Sequence, residues 1–258
     1  MTKLAHRLSS GALALLLVAG CDGGGGNSAG SGASQDPTAR FTAAADALSA
    51  KMKDGQIPPA DDPSVKAFDA ETGRALQALG TPALPLDGLE SFDRLCGKTA
   101  TIVGAYVSAG ADRVAEAEKA ALMQRNVEQH MDTLFTPLLF SARCTAAHLP
   151  FIEKTVGDNT SEKAAALGQV RNGAYGQMSG LLEMAGASDL DEPRRRRVID
   201  LLAENADEFA IVLSDAQRQE LASSAEAVRA TLPEDARGQI DKIKTGMSNA
   251  PCNALCKM

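Results

Sequence analysis

From Pro37 onward, apolar residues recur at spacings of three and four along almost the whole chain. That spacing puts them on one face of a helix. Asp36-Pro37 reads as a cap followed by proline at the first helical position, with Phe41, Ala44, Leu48 and Met52 as the stripe behind it. Asp62-Pro63 repeats the device, with Val65, Phe68, Leu76 and Leu79 on one face and Gly80 as the stop. After Thr81-Pro82 and a short extended piece comes a third stripe: Leu89, Phe92, Cys96, Val103 and Tyr106, with Thr99 its one polar position. The longest stretch, about Asp112 to Thr145, carries Met123, Val127, Met131, Leu134 and Leu138. Pro137 inside it is expected to kink or divide the helix, because proline lacks the N–H that the preceding turn needs.

Asn159 with Glu162 has the form of a capping box, opening a helix with Leu167, Val170, Ala174, Met178, Leu181 and Ala185 in register. A further helix is predicted from near Asp189, burying Val198, Leu202 and Phe209. Ser214 and Gln217 form another capping box ahead of Leu221, Ala225, Val228 and Leu232. Pro233 starts the last helix, whose stripe is Ala236, Ile240, Ile243 and Met247. The pattern predicts about eight helices and no strand. The fold class is all-α, an antiparallel helical bundle or two packed helical subdomains. Gly157-Asp158, after the Leu149-Pro150 break, is the candidate boundary within residues 37–258.

Composition agrees with helices. Trp is absent, Tyr occurs twice and Phe seven times, poor material for a β-sandwich, while alanine is abundant and suits close helix packing.

The N-terminus carries a different signal. Lys3 and Arg7 precede an uncharged run from Gly11 to Gly20 rich in Ala, Leu and Val. That run is too short to span a bilayer as a helix, which takes about 20 residues, and it has the length of a signal-peptide core. Val18-Ala19-Gly20-Cys21 resembles the lipobox of bacterial lipoproteins. The resemblance covers residues 1–21 only. It implies cleavage after Gly20, lipid on the Cys21 thiol, and a domain held in the periplasm. Residues 22–36, DGGGGNSAGSGASQD, contain no large apolar side chain and read as a flexible tether with a reach on the order of 20 Å. Asp22 directly after the cysteine resembles the inner-membrane retention signal of enteric bacteria.

Removing residues 1–20 takes away Lys3 and Arg7 and no acid, so the 26 basic residues become 24 against 33 acidic ones, a net charge of −9. Such a surface repels polyanions, so nucleic acid is not an expected partner. Four cysteines remain beyond Cys21: Cys96, Cys144, Cys252 and Cys256. An even number in an exported chain points to disulfides. Three pairings are open: Cys96–Cys144 with Cys252–Cys256, and two that tie the C-terminal tail to the body. A link four residues apart contributes about 2 kcal/mol of loop entropy against roughly 4 to 5 for the long loops. Ser248-Asn249-Ala250-Pro251 also breaks the last helix just before Cys252. Tail-to-body pairing is therefore favoured. A Cys3His zinc site from Cys144, His148, Cys252 and Cys256 is the competing reading, set behind disulfides by the oxidising compartment.

Catalytic signatures are sparse. The chain contains no His-Glu-x-x-His, Gly-x-Ser-x-Gly, phosphate-binding loop or Cys-x-x-Cys-His, so an enzyme is not expected and no cofactor or metal is implied. His130 reads as a solvated surface imidazole. Arg194 to Arg197 point around a full turn and read as solvated helix faces rather than one anion-gripping patch. Met123, Met131, Met178, Met184 and Met247 read mostly as core packing. The expectation is a lipid-anchored cell-envelope protein, attached to the membrane through Cys21, acting as a structural or protein-interaction module. The alternative is a periplasmic binding module for a small or apolar ligand. An enclosed apolar cavity favours the ligand module, and a solid core with exposed apolar surface favours the interaction module.

Overall fold

The computed structural model describes residues 37–52, 56–78, 89–156 and 163–252, together with Cys256. The lipobox with Cys21, the tether, the Leu79–Pro82 turn, the Gly157-Asp158 boundary and the Asn159–Glu162 capping box lie outside the described residues. Within them the fold is all-α: nine α-helices and no strand. These are α1 (Pro37–Lys51), α2 (Pro63–Ala78), α3 (Leu89–Val107), α4 (Glu116–Gln129), α5 (Met131–Val156), α6 (Ala164–Gly186), α7 (Glu192–Ala210), α8 (Asp215–Arg229) and α9 (Arg237–Asn249). Short 3-10 turns at Ala111–Arg113 and Glu234–Ala236 precede α4 and α9. The last helix thus starts a turn later than Pro233 predicts, and α7 opens after Asp191, not at Asp189.

The chain divides into two compact units, with a cut between Ser141 and Ala142 inside α5. In the N-terminal unit α1 packs on α2 and α3, and α3 on α4. Its core is aromatic: Phe41 meets Phe68 edge-on and Phe140 at a tilt, both at 5.6 Å, and Phe92 meets Phe140 at 6.4 Å. Such pairs add about 0.5–1.5 kcal/mol each beyond the burial of their area. The buried hydroxyls of Thr72 and Thr99 donate to the carbonyls four residues back, Phe68 and Leu95, at 2.7 and 2.9 Å. That back-bonding is how a polar residue sits inside an apolar stripe without an orphaned group.

The long helix predicted over Asp112–Thr145 is two helices, and the break falls at His130, not at Pro137. The His130 N–H closes α4 on the Asn126 carbonyl, while the His130 carbonyl accepts from Thr133 and Leu134 and opens α5. Asn126 fixes the place: its buried side-chain amide donates to the Val107 and Ala109 carbonyls at 2.9 and 3.0 Å, holding α4 to the end of α3. Pro137 deprives the Thr133 carbonyl of its helical donor, yet Leu134, Phe135, Leu139 and Phe140 are buried around it. Tertiary packing outweighs that one bond. Pro150 is likewise inside α5 and breaks nothing.

In the C-terminal unit α6 contacts α7 and α8, and α9 contacts α7 and α8, closing a ring in the order α6, α7, α9, α8. The predicted stripes meet inside it: Ala174, Met178 and Leu181, Val198, Leu202 and Phe209, Leu221 and Ala225, Ile240, Ile243 and Met247 are all buried. Met123, Met131 and Met184 are only half-buried, so methionine is less a core residue here than its spacing predicts. The Ser214–Gln217 capping box forms as expected. Where α7 crosses α9, Gly246 leaves no room for a side chain: a Cβ there would sit 2.7 Å from the Ala206 Cβ.

Candidate functional site

Cys252 and Cys256 form a disulfide with each other, Cα to Cα 5.1 Å. Tail-to-body pairing is thereby corrected. Cys96 and Cys144 are disulfide-bonded too, so the thiolates that the Cys3His zinc reading needs are consumed. His148 donates from Nδ1 to the Cys144 carbonyl at 2.6 Å. What fixes the tail is an arginine: Arg218 in α8, 7% exposed, donates to the Leu213, Ala250 and Pro251 carbonyls at 3.2, 2.9 and 3.2 Å. Burial lowers its pKa from the usual guanidinium value, and the nearby Asp215 carboxylate opposes that shift.

Two of the four arginines 194–197 are more than solvated faces. Arg195 donates to the Ala185, Ala187 and Leu190 carbonyls at 2.8, 2.7 and 2.9 Å, capping the C-terminal end of α6 with the charge its dipole favours. Arg196 reaches both Asp235 oxygens and Glu192. Arg194 pairs with Asp191, the cap of its own helix. Arg194, Arg195 and Arg196 thus reach different partners.

A buried polar cluster lies between α5 and α7. Arg143 donates to the side-chain oxygen of Asn205, whose amide in turn donates to the Leu201 carbonyl at 2.6 Å. Glu208, one turn further along α7, is 6% exposed. Burial, then the hydrogen bond with Asp207, pushes its pKa up to about 8, with Arg143 opposing. Its Oε2 has no hydrogen-bond partner among the described residues. Held in this way, the carboxyl keeps a proton near neutral pH.

In the N-terminal unit α4 is the least buried helix, and Asn126 is its one buried residue. Leu122, Met123 and Val127 are half-buried, and Ala117, Ala120 and Ala121 are exposed. His130 is not a solvated imidazole: it lies edge-on to Tyr106 at 5.2 Å, and burial lowers its pKa. Near the end of α3, Met52, Ile57, Ala105, Ser108, Asp112 and Arg113 line a half-open cleft of about 320 Å³. The tight corner beside it is made at Gly110, φ 74°, a backbone region glycine enters without cost.

No protein family, curated protein or solved structure matches this sequence. Of the residues singled out in the sequence, the structure brings Cys252 and Cys256 together and puts Cys96 and Cys144 in disulfide linkage. Cys21 lies outside the described residues. Arg143, Asn205, Glu208 and Arg218 were not foreseen. Helical spacing alone held the only clue, since Arg218 and Leu221, and Asn205 and Phe209, share faces with buried positions.

Proposed function

We propose that the chain is a lipid-anchored protein of the bacterial cell envelope, held through Cys21, that acts as a structural or protein-interaction module with α4 as its contact helix. One observation carries the choice of α4: it leaves Leu122, Met123 and Val127 half-buried while its only buried side chain is the polar Asn126. Half-buried apolar side chains also occur elsewhere, as at Leu76 of α2, Leu138 of α5 and Val170 of α6, but each of those helices also buries apolar residues, which α4 does not, so its apolar area is only partly covered. Such area on an anchored protein is a reason to bind another surface. The fold offers no motif or open constellation of nucleophile and base among the described residues, which supports a binding role over catalysis.

A photo-crosslinking amino acid at position 122 or 123, in the full chain in intact cells, is expected to trap a discrete partner. The same probe at Gln219, on the exposed side of α8, is expected to trap none. Equal crosslinking from both helices, or none from α4, overturns the proposal. The second reading, a small-ligand module, rests on the cleft lined by Met52, Ile57, Ser108, Asp112 and Arg113. Its mixed lining suits a small amphipathic molecule better than a purely apolar one.

A further inference from the structure

The Cys252–Cys256 disulfide faces a third group able to bind metal. One oxygen of Asp215 and the two sulfurs lie within 4.8 Å of one another, although Asp215 opens α8 and the cysteines belong to the tail. We infer that the tail, once reduced, is a binding site for a soft divalent cation, with the Cys252 and Cys256 thiolates and the Asp215 carboxylate as its three protein ligands.

Donor chemistry is the first argument. Two sulfurs and one carboxylate oxygen match the soft-to-borderline preference of Zn²⁺ or Cd²⁺, and three protein ligands leave a tetrahedral position for water. With metal–sulfur bonds of about 2.3 Å, a tetrahedral ion holds two sulfurs roughly 3.8 Å apart.

Preorganisation is the second. Opening a bond across a separation of four residues frees little chain. The Arg218 guanidinium meanwhile holds the segments carrying the ligands, through the Leu213 carbonyl two residues before Asp215 and the Pro251 carbonyl next to Cys252. The site is clamped by a group that reduction does not touch.

Charge is the third. Two thiolates and a carboxylate sum to −3, the adjacent Arg218 offsets one charge, and a divalent cation neutralises the remainder. Asp215 is exposed and Cys256 buried, so an ion enters from the carboxylate side.

The chemistry balances with a dithiol reductant. Thiol–disulfide exchange passes two electrons to the Cys252–Cys256 bond, giving two protein thiols, while the reductant's two thiols become a disulfide. Metal binding then displaces the two thiol protons to solvent. In the oxidised protein the site is closed.

The test uses the full chain, reduced, freed of reductant without oxygen, and titrated with Cd²⁺ alone while the thiolate-to-cadmium absorption band is followed. The reduced protein is expected to take up one equivalent that the oxidised protein does not. Cys252→Ser and Cys256→Ser, treated identically so that Cys96 and Cys144 contribute equally, are each expected to lose that equivalent. Asp215→Asn is expected to keep the band but bind at least tenfold more weakly. Helical circular dichroism of each variant checks folding, and the oxidised parent serves as a control that needs no substitution. A band undiminished in both serine variants, or unchanged affinity in Asp215→Asn, overturns the assignment.

Discussion

Gly246 is where the α7–α9 packing can be tested most directly. An alanine Cβ at this position would lie 2.7 Å from the Ala206 Cβ, 3.0 Å from the Asp207 nitrogen and 3.1 Å from the Ala206 carbonyl carbon. Carbon atoms in contact normally stay about 3.5–4.0 Å apart, so the added methyl intrudes by about 1 Å. Two of the three atoms belong to the α7 backbone, so no rotamer change relieves the clash and the helices must separate. Separation loosens contacts shared by Leu202, Phe209, Ile243 and Met247, all buried. Overpacking of this kind costs about 1–3 kcal/mol, and the backbone location puts it toward the upper end. Against it, alanine gains about 1 kcal/mol over glycine inside a helix. The net expectation for Gly246→Ala is a loss of about 1–2 kcal/mol, seen as a lower urea midpoint and a fall of several degrees in Tm by circular dichroism. Gly180→Ala in α6 is the control, because a Cβ there meets nothing within 4 Å, and it is expected to stabilise by up to about 1 kcal/mol. If Gly246→Ala raises the midpoint as Gly180→Ala does, α7 and α9 do not approach as described and the reasoning fails.

Arg218→Met removes three donors from the Leu213, Ala250 and Pro251 carbonyls and is expected to destabilise by about 2–4 kcal/mol in urea unfolding; a change below about 0.5 kcal/mol would show that the clamp contributes nothing. Glu208 has a folded pKa of about 8 against an ordinary 4.5, so the folded chain holds a proton that the unfolded chain releases. Its contribution to stability is therefore complete below about pH 4.5 and disappears as pH rises through about 8. Glu208→Gln is expected to flatten that decline between about pH 5 and 9, and parallel slopes in parent and variant would refute it. Cys21→Ser is expected to yield precursor without lipid; intact-mass analysis of membrane extracts decides, and a lipid adduct persisting in the variant would exclude Cys21 as the anchor.

Stripes were legible because burial in a helix repeats every three or four residues whatever the partner is. Val198, Leu202 and Phe209, or Ile240, Ile243 and Met247, announce their faces without reference to each other, and both sets are buried. Helix ends were legible where a side chain makes its own cap, as at Ser214–Gln217. They were not legible where the decisive bond crosses from another element. The break at His130 is set by Asn126 reaching the Val107 and Ala109 carbonyls, a contact between α4 and α3 that no local pattern encodes. Pro137 and Pro150 misled for the converse reason: propensity acts locally, and the burial of Leu139, Phe140 and Leu149 around them acts at a distance.

The same distinction explains which chemistry could be read in advance. Cysteine partners can be narrowed by counting, since each thiol needs another, although loop entropy alone pointed to the wrong pairing for Cys252 and Cys256. Entropy rewards a long loop only if the sulfurs can meet, and Arg218 holds the tail beside its own helix instead. Arginines cannot be counted in this way, because their partners here are main-chain carbonyls, which every residue carries. Arg195 on the end of α6 and Arg218 on the end of α9 carry no mark in the sequence that names those carbonyls as their partners. Their role arises only when folding aims one helix terminus at the flank of another, and a helix C-terminus leaves carbonyls that a buried cation is well placed to satisfy. In a unit whose core is mostly Ala, Leu and Ile, those clamps supply directional contacts that apolar packing lacks.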